Sequence, residues 1–194
     1  MPKTHTIPCT KEEIDRLLDY AMIDEFMYMI FFVAKTTGRR LGEYYGVFNK
    51  ETKEWEGGVQ VKDINFEAKT MDAQVLKRRK RVVKQALLTD ETARIIKQYI
   101  LKHKLKLDDY LFRKYSYRHI QHLTTKMARD AGITHKVTFH NFRHYLISHL
   151  VKKNWDYSKI AKITGHGNLG TLVLYDHVVA KDIQDDAMRD LEGI

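Results

Sequence analysis

Proline and cysteine are almost missing from this chain. Its 194 residues hold two prolines, Pro2 and Pro8, so nothing after residue 8 is broken by proline. The single cysteine, Cys9, excludes an intramolecular disulfide, and no cysteine pair with zinc spacing exists. That usage fits a reducing, intracellular setting. Long apolar runs are also missing. The longest, about Phe26 to Ala34, is far short of the ~20 residues a bilayer span needs, and no signal-peptide pattern precedes it. A soluble, cytoplasmic protein is expected. No internal repeat, low-complexity linker, acidic metal cluster or Walker-type phosphate loop is found.

What is present is a globular composition, 43% apolar and 11% aromatic, on a chain long enough for one domain with a substantial core. The net charge of +9 is unevenly spread. Residues 1–60 carry 8 Lys/Arg against 10 Asp/Glu, and residues 161–194 carry 3 against 6. Residues 61–160 carry 23 against 9, a local net of +14. A basic centre between mildly acidic ends suits a face that meets a polyanion, and nucleic acid is the favoured partner.

Hydrophobic spacing predicts a mainly helical α+β domain with one small antiparallel sheet. Thr10 and Glu13 form a capping box ahead of Ile14, Leu17, Leu18 and Ala21 at helical spacing. A very apolar helix follows over about Asp24–Thr36, closed by Gly38, and Arg40 to Glu43 opens a further turn. Alternation through Val59-Val61, Ile64-Phe66 and Met71-Ala73-Val75, then Val82-Val83 and Leu87-Leu88, predicts strands between about Trp55 and Thr89. The last hairpin is tipped by Lys77, Arg78, Arg79, Lys80 and Arg81. Thr89 then caps a helix with Ala93, Ile96 and Ile100, and a helix over His119–Ala131 ends at Gly132. From about His140 the chain reads as helical, with breaks over 165–170.

The chemistry-bearing residues lie mostly in the last third. His140 and Arg143, three apart, share one helix face near its start. Gly165-His166-Gly167 sets a histidine in a glycine turn, and Tyr175 follows nine residues after His166. Arginine can hold non-bridging phosphate oxygens, histidine can position protons, and a phenol can act as an oxygen nucleophile. Upstream, Gly38-Arg39-Arg40 places an arginine at a helix start, with Glu43 able to orient it.

The order and spacing of Gly38-x-Arg40-x-x-Glu43, His140-x-x-Arg143, Gly165-His166 and Tyr175 resemble the catalytic domain of the tyrosine recombinase (phage integrase, Xer-like) family. The resemblance runs from about Thr10 to Val178 and implies that family's catalytic-domain fold. It implies that Arg40 and Arg143 clamp a scissile phosphate and that His140 accepts or orients the nucleophile's proton. His166 would hydrogen-bond the phosphate, and Tyr175 would form a 3′-phosphotyrosyl link without metal or cofactor. A hairpin lysine would protonate the leaving 5′-oxygen: Lys77, with Lys80 as the alternative. Thr164 stands where the family usually has leucine.

Implied partners are double-stranded DNA and further copies of the chain, as a dimer or tetramer on that DNA, with nucleoid association. The expected layout is one catalytic domain over 1–194, its core at 10–178 and a tail at 179–194. That acidic amphipathic tail carries Ile183, Ala187 and Leu191 at four-residue spacing. The N-terminal core-binding domain of relatives is expected to be absent. Two rivals share much of this pattern: a type IB topoisomerase-like enzyme, and a DNA-binding module that has lost catalysis.

Overall fold

The computed structural model describes residues 8–77, 80–165 and 172, with backbone alone at 74–77 and 80–82. Helix α1 (Lys11–Ala21) starts where its capping box requires. The Thr10 hydroxyl accepts from the Glu13 N–H at 3.2 Å, and the Glu13 carboxylate accepts from the Thr10 N–H at 2.9 Å. Its stripe of Ile14, Leu17, Leu18 and Ala21 is buried. That stripe lies against α2 (Glu25–Thr37), which Asp24 caps by accepting from the Phe26 and Met27 N–H groups.

Helix α2 is apolar nearly all round and forms the axis of the core. Phe26, Met27, Met29, Ile30, Phe31, Val33 and Ala34 are all fully buried. Each side chain of this kind contributes roughly 1.5–3 kcal/mol by leaving water, so this one helix supplies a large part of the apolar gain. It packs on α1, on α4 (Asp90–His103) and on α6 (His140–Lys152), with the Phe31 and Phe142 rings 4.9 Å apart. Helix α5 (Tyr117–Asp130) covers α1, and the short α7 (Tyr157–Thr164) lies on α6.

Between α2 and α4 lie α3 (Leu41–Tyr45) and two separate sheets rather than one. Strands β1 (Val47–Asn49) and β2 (Glu54–Glu56) form a ribbon in which Phe48 faces Trp55. Val47 and Phe48 remain exposed, so this ribbon lacks a buried face and its alternation does not show in the sequence. A 3₁₀ turn (Val61–Asp63) stands where alternation predicts the Val59–Val61 strand. Then β3 (Ile64–Asn65), β4 (Thr70–Lys77) and β5 (Lys80–Leu87) make a three-stranded antiparallel sheet in that order. Met71, Ala73 and Ala86 face inward, whereas Val83 and Leu87 are 60% and 59% exposed, opposite to a simple apolar-in reading of β5.

Helix caps account for the other boundaries. Thr89 accepts from the Thr92 N–H, Ser116 from that of His119 and Asp156 from that of Ser158. Helix α5 therefore begins at Tyr117, two residues ahead of the sequence reading, and Gly132 follows it at φ +77°. Among the described residues no helix is long and apolar enough to cross a membrane.

Gly38 closes α2 at φ +60°, donating its N–H to the Ala34 carbonyl. A Cβ on it would come within 2.8 Å of Leu146 Cδ2 and 3.4 Å of Thr164 Cγ2. Gly38→Ala should lower stability by about 1–3 kcal/mol, from the left-handed backbone and the displaced Leu146 together. Urea midpoints of the two proteins check this, and an unchanged midpoint contradicts it.

Candidate active site

Three backbone turns converge on one buried arginine. Arg143 lies in the first turn of α6 and is 1% exposed. Its Nη1 donates to the Gly38 carbonyl at 2.8 Å and to the Thr164 carbonyl at 2.5 Å. Both acceptors are orphan carbonyls at helix C-termini, where the partial charge is negative, so the cation is well placed. This contact draws the segment bearing Arg40 and the segment bearing Gly165 to the head of α6.

Thr164 suits that junction. It is fully buried, and its hydroxyl bonds back to the Ile160 carbonyl at 2.6 Å, so its polar atom is satisfied inside the core. Gly165 then ends α7 at φ +72°. A Cβ at Gly165 would sit 1.8 Å from Arg39 Nη1, so together with the left-handed φ the position favours glycine unless Arg39 shifts.

The adjacent arginines diverge. Arg39 turns inward, 3% exposed, with Nη2 donating to the Gln85 carbonyl and with Nε and Nη1 lacking a hydrogen-bond partner among the described residues. Burial lowers its pKa, and the nearby Glu43 charge opposes that shift. Arg40 is the N-cap residue of α3, and its half-exposed side chain is free to reach outward. Its own N–H donates to the Glu43 carboxylate at 2.8 Å, and its guanidinium lies 3.9 Å from the other Glu43 oxygen.

Glu43 is buried among cations. Lys84 on β5 donates directly to Glu43 Oε1 and also reaches the Gly165 carbonyl at 3.3 Å. Burial pushes the Glu43 pKa up, but the Lys84 hydrogen bond, the Arg40 N–H and the Lys84 and Arg39 charges outweigh it, so the net shift is downward. Lys84 and Arg39 are the two site residues that sequence reading missed. No sequence signal marks them: Lys84 is placed by its register opposite inward Ala73, which only the folded sheet shows.

The imidazoles favour the neutral form. His140 opens α6 and reaches the surface, yet desolvation by the protein packed around its ring is the first cause of a lowered pKa, with Arg143 and Arg40 adding to it. His144, one turn on, meets His140 edge to face with centroids 4.5 Å apart. Burial, then His140 and Arg143, hold the His144 pKa at about 4. A neutral imidazole beside two guanidiniums can accept a proton, and two guanidiniums can hold a doubly bonded anion such as a phosphodiester.

The structure therefore brings Arg40, His140 and Arg143 together at the head of α6. His166 and Tyr175 lie outside the described residues. Leu172, three residues before Tyr175, is fully buried with Ile147, Val151, Ile160 and Ala161 of α6 and α7. Lys77 and Lys80 are direct cross-strand partners at the end of the β4–β5 hairpin.

Comparison with known proteins agrees with this arrangement. The model of the phage integrase family matches residues 9–182. The chain is 27% identical over 201 residues to a tyrosine recombinase, XerA, of Pyrococcus furiosus, covering 97% of this chain and 63% of that protein. It is 25% identical over 174 residues to a tyrosine recombinase of Pseudothermotoga lettingae, covering 88% of this chain and 56% of the relative. The chain thus spans about 60% of the length of these relatives. Among solved structures, XerA recombinase superposes with a TM-score of 0.75 at 21% identity, over 95% of this chain and 66% of that one. The catalytic domain of bacteriophage HP1 integrase superposes with a TM-score of 0.60 at 15% identity, over 88% and 87%. The fold is that of a tyrosine recombinase catalytic domain. The chain belongs to the phage integrase family.

Replacing Lys84 by methionine should destabilise the domain by ~2–4 kcal/mol, because it leaves the Glu43 carboxylate buried without its main partner. Adding Glu43→Gln to Lys84→Met should recover part of that loss. Denaturant melts of the two single variants and the double variant measure the coupling, and strict additivity would refute it. Because the Glu43 pKa is depressed on folding, its contribution is present above the ordinary carboxylate pKa and lost as pH falls through the lower folded value.

Proposed function

We propose that this chain is the catalytic domain of a site-specific DNA recombinase that cleaves and rejoins strands through Tyr175. The observation that carries the reading is Arg143 bridging the carbonyls of Gly38 and Thr164, which brings the Arg40 segment and the Gly165 turn to the head of α6, where His140 stands. Support for double-stranded DNA as substrate comes from the +14 charge of residues 61–160 and from the structurally similar XerH recombinase, solved bound to difH substrate.

In the proposed reaction Arg40, Arg143 and His166 hold the non-bridging oxygens of the scissile phosphate. The Tyr175 oxygen attacks phosphorus in line while His140, kept neutral, takes or directs the phenolic proton. The P–O5′ bond breaks, a 3′-phosphotyrosyl bond forms, and the leaving 5′-oxygen receives a proton from Lys77, or from Lys80. The reverse attack by a 5′-hydroxyl restores Tyr175, so the phosphodiester energy is retained and no nucleotide is consumed. Lys77 and Lys80 pair across β4 and β5, on the register face that also carries Ala73 and Lys84. That placement supports a donor from this hairpin.

Residues 10–178 are proposed as the catalytic core and 179–194 as a tail that docks on a neighbouring protomer of a dimer or tetramer on DNA. The match to 87% of the solved HP1 catalytic domain supports this division. Nucleoid association follows from the same reading.

A nicked suicide duplex that loses its short 5′ fragment should trap wild-type protein covalently. Tyr175→Phe should bind the duplex with near-wild-type affinity and trap none, and covalent trapping by that variant would remove Tyr175 as nucleophile. Lys77→Ala should slow cleavage on the order of 10²–10⁴-fold, as loss of a general acid does. A duplex with sulfur at the bridging 5′ position needs no proton on departure, so it should cleave at nearly equal rates with both proteins. If Lys80→Ala alone shows that rescue, Lys80 is the acid.

A further inference from the structure

The first helix, the residues leading into it and the loop before α6 meet at a cluster that the cleavage reaction does not use. Cys9 is 5% exposed, Glu13 lies in the first turn of α1, and His135 belongs to the segment between α5 and α6. One ligand atom from each, a thiol sulfur, a carboxylate oxygen and an imidazole nitrogen, all lie within 4.8 Å of one another. His135 Nε2 is 3.2 Å from Glu13 Oε2. Two ligands at ~2.0–2.2 Å from a tetrahedral zinc sit about 3.3–3.5 Å apart, so this pair is nearly at bonding separation for a shared ion.

One further feature favours a ligand over plain packing. His135 Nε2 faces Glu13, and its buried Nδ1 has no hydrogen-bond partner among the described residues, so the ring is held at Glu13 alone. The Glu13 carboxylate is already steered by the Thr10 N–H, and the Cys9 sulfur is hydrogen-bonded by Asn141, as expected of outer contacts that orient ligands. A cleft of about 250 Å³, lined by His122, Lys126, Arg129 and Lys136 among others, borders His135.

We propose that Cys9, Glu13 and His135 bind one zinc ion, with water as the fourth ligand. A thiolate, imidazole and carboxylate set suits zinc better than a hard cation such as magnesium or calcium. The ion ties residues 9–13 to the strand of chain that enters α6 five residues before His140. Asn141, which holds Cys9, also accepts from the Thr138 N–H at 2.9 Å, so the site and the first turn of α6 share a support. Zinc thereby stiffens the base on which His140 and Arg143 stand.

The test uses the full chain and cobalt(II) as a spectroscopic stand-in. Cys9 is the sole cysteine, so a thiolate-to-cobalt absorption band can arise from no other residue. The expected result is a band that saturates at one ion per chain and is displaced by zinc. The band should vanish in Cys9→Ser, and zinc affinity should weaken at least tenfold in His135→Gln. Zinc should raise the melting temperature of the wild type relative to chelator but not that of Cys9→Ser. Absence of the band in the wild type overturns the proposal. So does equal zinc affinity in wild type and both variants, which would place the ion at other histidines such as His140 and His144. Should Cys9→Ser fail to fold by circular dichroism, the wild-type band and the His135→Gln affinity decide alone.

Discussion

The rest of this structure depends on a cation placed where two helices end. Burying a guanidinium is costly unless its donors meet strong acceptors. Arg143 meets two carbonyls, of Gly38 and Thr164, that intrahelical bonding leaves unused at the ends of α2 and α7. Lys84 serves the Gly165 carbonyl in the same way. The C-terminal ends of two helices thus converge on cations, and the cost of desolvating the charges is offset by helix dipoles as well as hydrogen bonds. The result is a cationic wall whose donors are held by backbone carbonyls, the arrangement that electrostatic catalysis on a phosphate would use under the proposed function.

Glu43 shows how such a wall avoids self-repulsion. Arg39, Arg40 and Lys84 all surround one buried carboxylate, which the surrounding charge holds ionised despite its burial. Glu43 also terminates the α3 backbone by taking the Arg40 N–H. One side chain therefore neutralises a cluster, caps a helix and fixes the direction from which Arg40 leaves the backbone. Arg39, adjacent in sequence, turns into the core and fills the space beside Gly165 that a side chain there would enter.

Most of the helical fold was legible in the sequence, because its signals are local. Thr10, Asp24, Thr89 and Gly132 mark ends within a residue or two, and the Ile14-Leu17-Leu18-Ala21 stripe names its own buried face. The sheets were less legible. Strand β5 turns Ala86 and Lys84 inward and exposes Val83 and Leu87, because its inner face meets the Glu43 carboxylate as well as the core. That partner lies 41 residues upstream, and no periodicity encodes it. The His140, Arg143 and Arg40 positions were readable as a spaced pattern, whereas Lys84 and Arg39 became visible only once the chain was folded around Glu43.

The hairpin tip follows the opposite electrostatic rule from the Glu43 cluster. Lys77 and Lys80 pair directly across β4 and β5, and Arg78, Arg79 and Arg81 complete five consecutive cations. Like charges directly across a ladder oppose the pairing, and no acidic residue lies within the run. A polyanion laid against such a run would remove that repulsion and release its own counterions. Among the described residues, Arg39, Arg40 and Lys84 are compensated by one buried glutamate, whereas the sequence run 77–81 carries no acid of its own. On the function proposed above, the first set shapes the site and the second meets DNA.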